Sequence, residues 1–144
     1  MGMEMMMMNA SRIAKILEKV GPENAKIKVD GAWDLSVYYV YRSEKMIEIE
    51  MFASKREDRV SMVDPLMKIE LALDENGAIK TAHPIYYQSH GMFFDVELYS
   101  EDNRDCWNPE LHEKPGELDR KLNNWLDSID VQGYLRNGMV EKIL

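Results

Sequence analysis

The chain is poor in cysteine. Cys106 is the single thiol in 144 residues, so no internal disulfide forms and no CxxC pair exists. That excludes a disulfide scaffold and a zinc ribbon, and it fits a reducing cytoplasm. No apolar run is long enough for a membrane-spanning helix. Basic residues are in deficit: 18 Lys and Arg stand against 26 Asp and Glu, a net charge of −8 with His neutral. The densest basic cluster, Lys55-Arg56-Glu57-Asp58-Arg59, is half cancelled by its own acids. Affinity for a nucleic-acid backbone comes from cations that neutralise phosphates, so direct nucleic-acid binding is not expected. An anionic membrane surface is disfavoured for the same reason. There is no Gly-rich phosphate loop, nucleophile elbow or dinucleotide fingerprint, and no cofactor is implied.

What is present is an ordinary globular composition, 45% hydrophobic and 31% charged. The length suits one domain that needs neither disulfide nor metal to fold. The opening Met1-Gly2-Met3-Glu4-Met5-Met6-Met7-Met8 lacks the basic and sustained apolar parts of a signal peptide. It reads as a ragged start, with translation beginning at Met7 or Met8 and residues 1–8 disordered. The domain proper is expected over 9–138, and 139–144 as a C-terminal tail.

Asn9 or Ser11 can cap a first helix whose Ile13, Ile16, Leu17 and Val20 share one face, and Gly21-Pro22 ends it. Period-two segments follow. Ile27 and Val29, then Leu35 to Tyr41, then Ile47, Ile49 and Met51 alternate with other residues, mostly polar, as in half-buried antiparallel strands. Residues 53–64 are highly charged without periodicity and read as a mobile loop. Asp74-Glu75-Asn76-Gly77 predicts a three-residue hairpin loop with Gly77 left-handed. That register pairs Leu73 with Ile79, Leu71 with Thr81, Ile69 with His83 and Met67 with Ile85, which turns His83 to the core. Pro84 cannot donate to a ladder, so its strand should be an edge or end there. Ser89-His90-Gly91 reads as a turn before a last strand, Met92 to Tyr99. A second amphipathic helix starts near Pro115, with Leu118, Leu122, Trp125, Leu126 and Ile129 on one face, and Gly133 or Gly138 stops it.

Strands and helices are segregated. The predicted fold is therefore α+β: an antiparallel meander of five or six strands, with an N-terminal and a C-terminal helix packed on one face. The opposite face would carry Tyr38, Val40, Met46, Phe52, Tyr86 and Phe93 among charges, a partly apolar surface suited to a ligand or partner.

Candidate chemistry is sparse. His83, His90, His112 and Cys106 match no compact zinc spacing. Cys106 and His112 can meet across a short loop, but Asp102, Asp105 and Glu110 suppress the thiolate a nucleophile needs. Glu48 and Glu50 share one strand face, and Asp95 and Glu97 another. If those strands were neighbours, the four acids would form a cluster able to bind a divalent cation or act as acid and base. The plainer alternative is a solvated face. The stretch Glu97–Asp119 holds eight acids and two bases, most of the net charge, interleaved with Tyr99 and Trp107. Such a segment can dock a basic protein surface.

The segment Asp64-Pro65-Leu66-Met67-Lys68-Ile69-Glu70-Leu71, then Trp107-Asn108-Pro109, Leu111-His112-Glu113 and Leu122-Asn123-Asn124-Trp125-Leu126, resembles the YqiB-like family of bacterial proteins of unknown function. It is also similar to a family of unknown function carried on bacterial conjugative elements. The likeness covers about residues 60–137. It implies a bacterial cytoplasmic protein without assigning an activity, and it marks Asn108, His112, Asn123 and Trp125. The expectation is a non-enzymatic binding or regulatory domain, with a mobile-element role as one version. Its partner would be a protein with a basic surface, met through Tyr38, Phe93, Trp107, Asn108, Glu110, His112, Glu113 and Glu117. The second reading is a metal-dependent hydrolase using Glu48, Glu50, Asp95 or Glu97 with a His.

Overall fold

Six strands form one antiparallel meander in the computed structural model, which describes residues 2–90, 96–100 and 116–143. They are β1 (Ala25–Lys28), β2 (Asp34–Arg42), β3 (Met46–Glu57), β4 (Val60–Leu73), β5 (Ile79–His90) and β6 (Val96–Ser100). A seventh, β7 (Met139–Lys142), lies antiparallel against β1, so the spatial order is β6-β5-β4-β3-β2-β1-β7. The expected C-terminal tail over 139–144 is thus corrected. β1 would otherwise present a row of unpaired backbone groups, and β7 satisfies them. The Ile143 N–H then closes onto the Asn24 carbonyl at 2.9 Å.

Alternation decides which side is buried. Ile27, Leu35, Val37, Ile49, Met51, Met67, Ile69 and Leu71 are wholly buried and share one face. Helix α1 (Gly2–Val20) brings Ile13 and Ile16 to that face, and α2 (Glu117–Gln132) brings Leu118, Leu122, Leu126 and Ile129. The α+β class, the meander and the one-sided helix layer all agree with the sequence pattern. Gly133, left-handed at φ 82°, ends α2 with its N–H on the Asp130 carbonyl, and the short α3 (Tyr134–Asn137) follows.

Arg12 fastens the two long helices together. Its guanidinium donates to Asn123 Oδ1 at 3.0 Å, Asp127 at 2.7 Å and Asp130 at 3.0 Å. Burial alone would lower its pKa, but the hydrogen bonds and charges of Asp127 and Asp130 outweigh that and hold it above the ordinary value. Asn9, buried inside α1, donates to the Asp119 carbonyl at 3.3 Å. It is therefore no N-cap. The helix begins at Gly2, not at Asn9 or Ser11, and the methionines expected to be disordered form its first turns, with Met5 and Met6 half-buried. Methionine is a good helix former, and Glu4 in the first turn suits the helix dipole.

Two more expectations are revised. The charged stretch 53–64 is a hairpin arm and not a loop: Lys55 pairs with Met62, Arg56 with Ser61 and Glu57 with Val60. Asp58 and Arg59, with φ of 48° and 70°, make its two-residue turn. Residues 55–62 are exposed, so neither side carried the apolar alternation that reveals a strand. The hairpin at Gly77 forms as expected, with φ 82° and Leu73 opposite Ile79. A register shift follows at once, and it pairs Leu71 with Ala82, Glu70 with His83 and Ile69 with Pro84. One extra residue inverts the face. His83 therefore stands on the side away from the helices, half-buried, and not in the core. Pro84 is buried in the part of β5 beyond its described pairs with β6, which run from Tyr86 to His90. Ser89 and His90 continue that strand and do not form a turn.

Gly138 is extended, and a Cβ there would collide with Ile27 Cγ2 and the Tyr134 carbonyl. Gly138→Ala should cost about 1–3 kcal/mol in urea unfolding, the usual penalty of overpacking. Equal stability of variant and wild type would contradict the tight seat of β7.

Two phenols are raised in pKa. Burial raises Tyr39 against a lowering by Arg42, and burial raises Tyr134 with help from Asp34. Their hydroxyls donate to the Gly21 carbonyl at 2.7 Å and to the Trp33 carbonyl. The folded state holds these protons more tightly than the unfolded chain. Their stabilisation is complete below the ordinary phenol range near about pH 10 and is lost as pH rises through the raised values. Melting temperature should therefore fall on that alkaline limb, and Tyr39→Phe/Tyr134→Phe should flatten it.

Candidate functional site

The side of the sheet opposite the helices holds most of the described candidate residues. Its polar and aromatic groups follow from the same alternation that buries their neighbours. One cross-strand row reads Ser36, Phe52, Leu66 and Gln88 from β2 to β5. The next reads Tyr38, Glu50, Lys68 and Tyr86, and the one beyond it Tyr41, Glu48, Glu70 and His83. Among the described residues, both long helices pack on the other side.

Aromatic groups gather at the centre. The Tyr38 and Phe52 rings stack with centroids 5.5 Å apart and planes 12° from parallel. They are diagonal neighbours on adjacent strands, a separation that large rings can bridge. Lys68 Nζ lies 5.0 Å from the centroid of the Tyr86 ring, a cation–π contact. The Tyr86 hydroxyl donates to Gln88 Oε1 at 3.2 Å. Acids flank the aromatics on one side, where Glu48 and Glu70 are direct cross-strand partners. On the other side the face runs into the hairpin arm, where Arg56 continues the outward series Phe52, Ser54, Arg56. Lys68 and Glu70 were readable as outward residues between Met67, Ile69 and Leu71. His83 was not, because the bulge that turns it outward leaves no mark in the sequence.

The expected site residues separate. Tyr38 is central to this face. Glu117 lies in the first turn of α2, where its carboxylate suits the dipole and accepts from Arg120 at 3.3 Å. Phe93, Asp95, Trp107, Asn108, Glu110, His112 and Glu113 lie outside the described residues, as does Cys106. Asn123 serves the Arg12 clasp, and Trp125 is half-buried against the core.

Glu48 and Glu50 do share a face of β3, but β6, which carries Glu97, is separated from β3 by β4 and β5. Three interstrand steps span roughly 14 Å, so the four-acid cluster does not assemble through neighbouring strands. Among the described residues no group of three His, Cys, Asp or Glu is placed to hold a metal ion. A cleft of about 890 Å³ opens where β1 and β7 meet the end of α2, lined by Lys28, Asp30, Asp34, Gln132, Asn137 and Glu141 among others. Lys28 is engaged by Glu141 at 3.3 Å, and the lining holds no His, Cys or Ser to act as base or nucleophile.

No described helix is long and apolar enough to cross a membrane. No curated protein and no solved structure matches the chain. A family model does match, over residues 8–135, which takes in α1 from Met8 onward, the whole meander and α2. The chain therefore belongs to the DUF6908 family, a domain of unknown function.

Proposed function

We propose that this domain is a non-enzymatic protein-binding or regulatory module. Its outward sheet face docks a protein partner with a basic surface, and the acidic stretch Glu97–Asp119, whose end lies in α2 on the helix side, adds attraction from a distance. One observation carries the proposal: the Tyr38–Phe52 stack stands on the side of the sheet away from both long helices, beside the carboxylates of Glu48, Glu50 and Glu70. Aromatic rings supply anchoring area at low entropic cost, and surrounding acids select a cationic partner. The net charge of −8 steers such a partner from a distance. The hydrolase alternative loses its main support, since β3 and β6 are not neighbours. In the setting that the likeness to a family carried on bacterial conjugative elements suggests, the partner would be a basic host protein such as a nuclease.

A fluorescein-labelled Lys-rich peptide with one Trp is a suitable probe. Binding by anisotropy should weaken as salt rises. Tyr38→Ala/Phe52→Ala should lose about 30-fold in affinity, the scale of a truncated aromatic hot spot. Glu110→Lys/Glu113→Lys/Glu117→Lys should abolish capture while the melting temperature stays near that of the wild type. Undiminished binding by both variants would refute the proposal.

A further inference from the structure

We infer that the outward face also pairs with a second copy of this chain, through a two-fold axis that crosses β3 at Phe52. The inference rests on reading that face as a docking surface and names one occupant for it.

The argument starts from the order of outward residues along β3: Glu48, Glu50, Phe52, Ser54, Arg56. Acid stands at one end, base at the other and an aromatic ring at the middle. Glu48 and Arg56 each lie four residues from Phe52, about 13 Å along an extended strand. Two such faces laid together reverse the strand direction when the two-fold axis lies between the sheets and across the strands. Phe52 then meets its counterpart, and Glu48 of each copy comes over Arg56 of the other. Sheets packed face to face keep their strands roughly aligned at about 10 Å separation, so residues at matching heights come within reach. An interface of this kind is self-complementary, as a closed dimer requires.

Two features of the single chain support this occupant. Glu48 and Glu70 are direct cross-strand partners, a like-charge placement that costs an isolated sheet stability. Neither forms an ion pair among the described residues. A guanidinium arriving over them converts that cost into charge-assisted hydrogen bonds. Arg56 is likewise exposed and outside any ion pair among the described residues, on an arm where Lys55 and Glu57 already pair at 3.5 Å.

Sedimentation equilibrium of the full chain tests the inference. The wild type should be dimeric at about 100 µM in low salt and dissociate as salt rises. Glu48→Arg and Arg56→Glu should each raise the dissociation constant at least tenfold, with circular dichroism unchanged. The double variant Glu48→Arg/Arg56→Glu should restore the dimer, because the swapped charges meet across the axis and lie too far apart to pair within one chain. A wild type that is monomeric throughout, or a double variant as weak as either single one, would overturn the inference. The Lys-rich peptide separates the two proposals. Arg56→Glu, freed of its copy, should bind the peptide at least as tightly as the wild type. A monomeric wild type that still binds it would sink self-pairing alone.

Discussion

One-sided burial governs this molecule. Along β3 and β4 every wholly buried side chain points the same way, and only that side has apolar area enough to hold helices. The helices that occupy it come from the two ends of the domain and must be fixed to each other as well as to the sheet. Arg12 does this, spanning from α1 to three residues of α2. Its stem lies at the helix interface while its guanidinium reaches carboxylates near solvent, so the charge is paired without being fully desolvated. With the helices committed to one layer, the opposite surface is left to polar and aromatic side chains.

The same alternation that makes a core therefore makes the candidate site. Tyr38 is outward because Val37 and Tyr39 are inward, and Phe52 because Met51 and Ala53 are inward. No special loop or strained turn positions the face. Its shape is held by paired strands on either side. Substitutions there disturb the core less than substitutions one residue away, where the side chains are buried.

Much of the architecture was legible in the sequence, for physical reasons. Ile13, Ile16 and Val20, and Leu118, Leu122, Leu126 and Ile129, declare their helices because one stripe of each is buried. Ile47, Ile49 and Met51 declare a strand because one face is. Features without one-sided burial were not legible. The arm over 55–62 is exposed on both faces, and β7 is exposed at all four residues, so neither shows a period. The methionine run reads as an irregular start, although its residues favour helix. The Gly77 turn was predicted, yet His83 was assigned to the wrong face, because a bulge depends on how two strands fit and not on either alone. Of the site, Tyr38, Phe52 and Tyr86 were foreseen as outward. The opposition of Glu48 to Glu70 required the register, and the separation of β3 from β6 required the strand order.

The seat of β7 beside β1 has a consequence for biosynthesis. Its strand leaves the ribosome more than a hundred residues after the one it completes, and α2 is similarly remote from α1. A nascent chain can pair its early hairpins, which are local, but cannot yet cover its apolar layer or close that border. The finished arrangement is accordingly complete only once β7 has emerged, and shorter nascent chains leave that border open and the apolar layer partly uncovered.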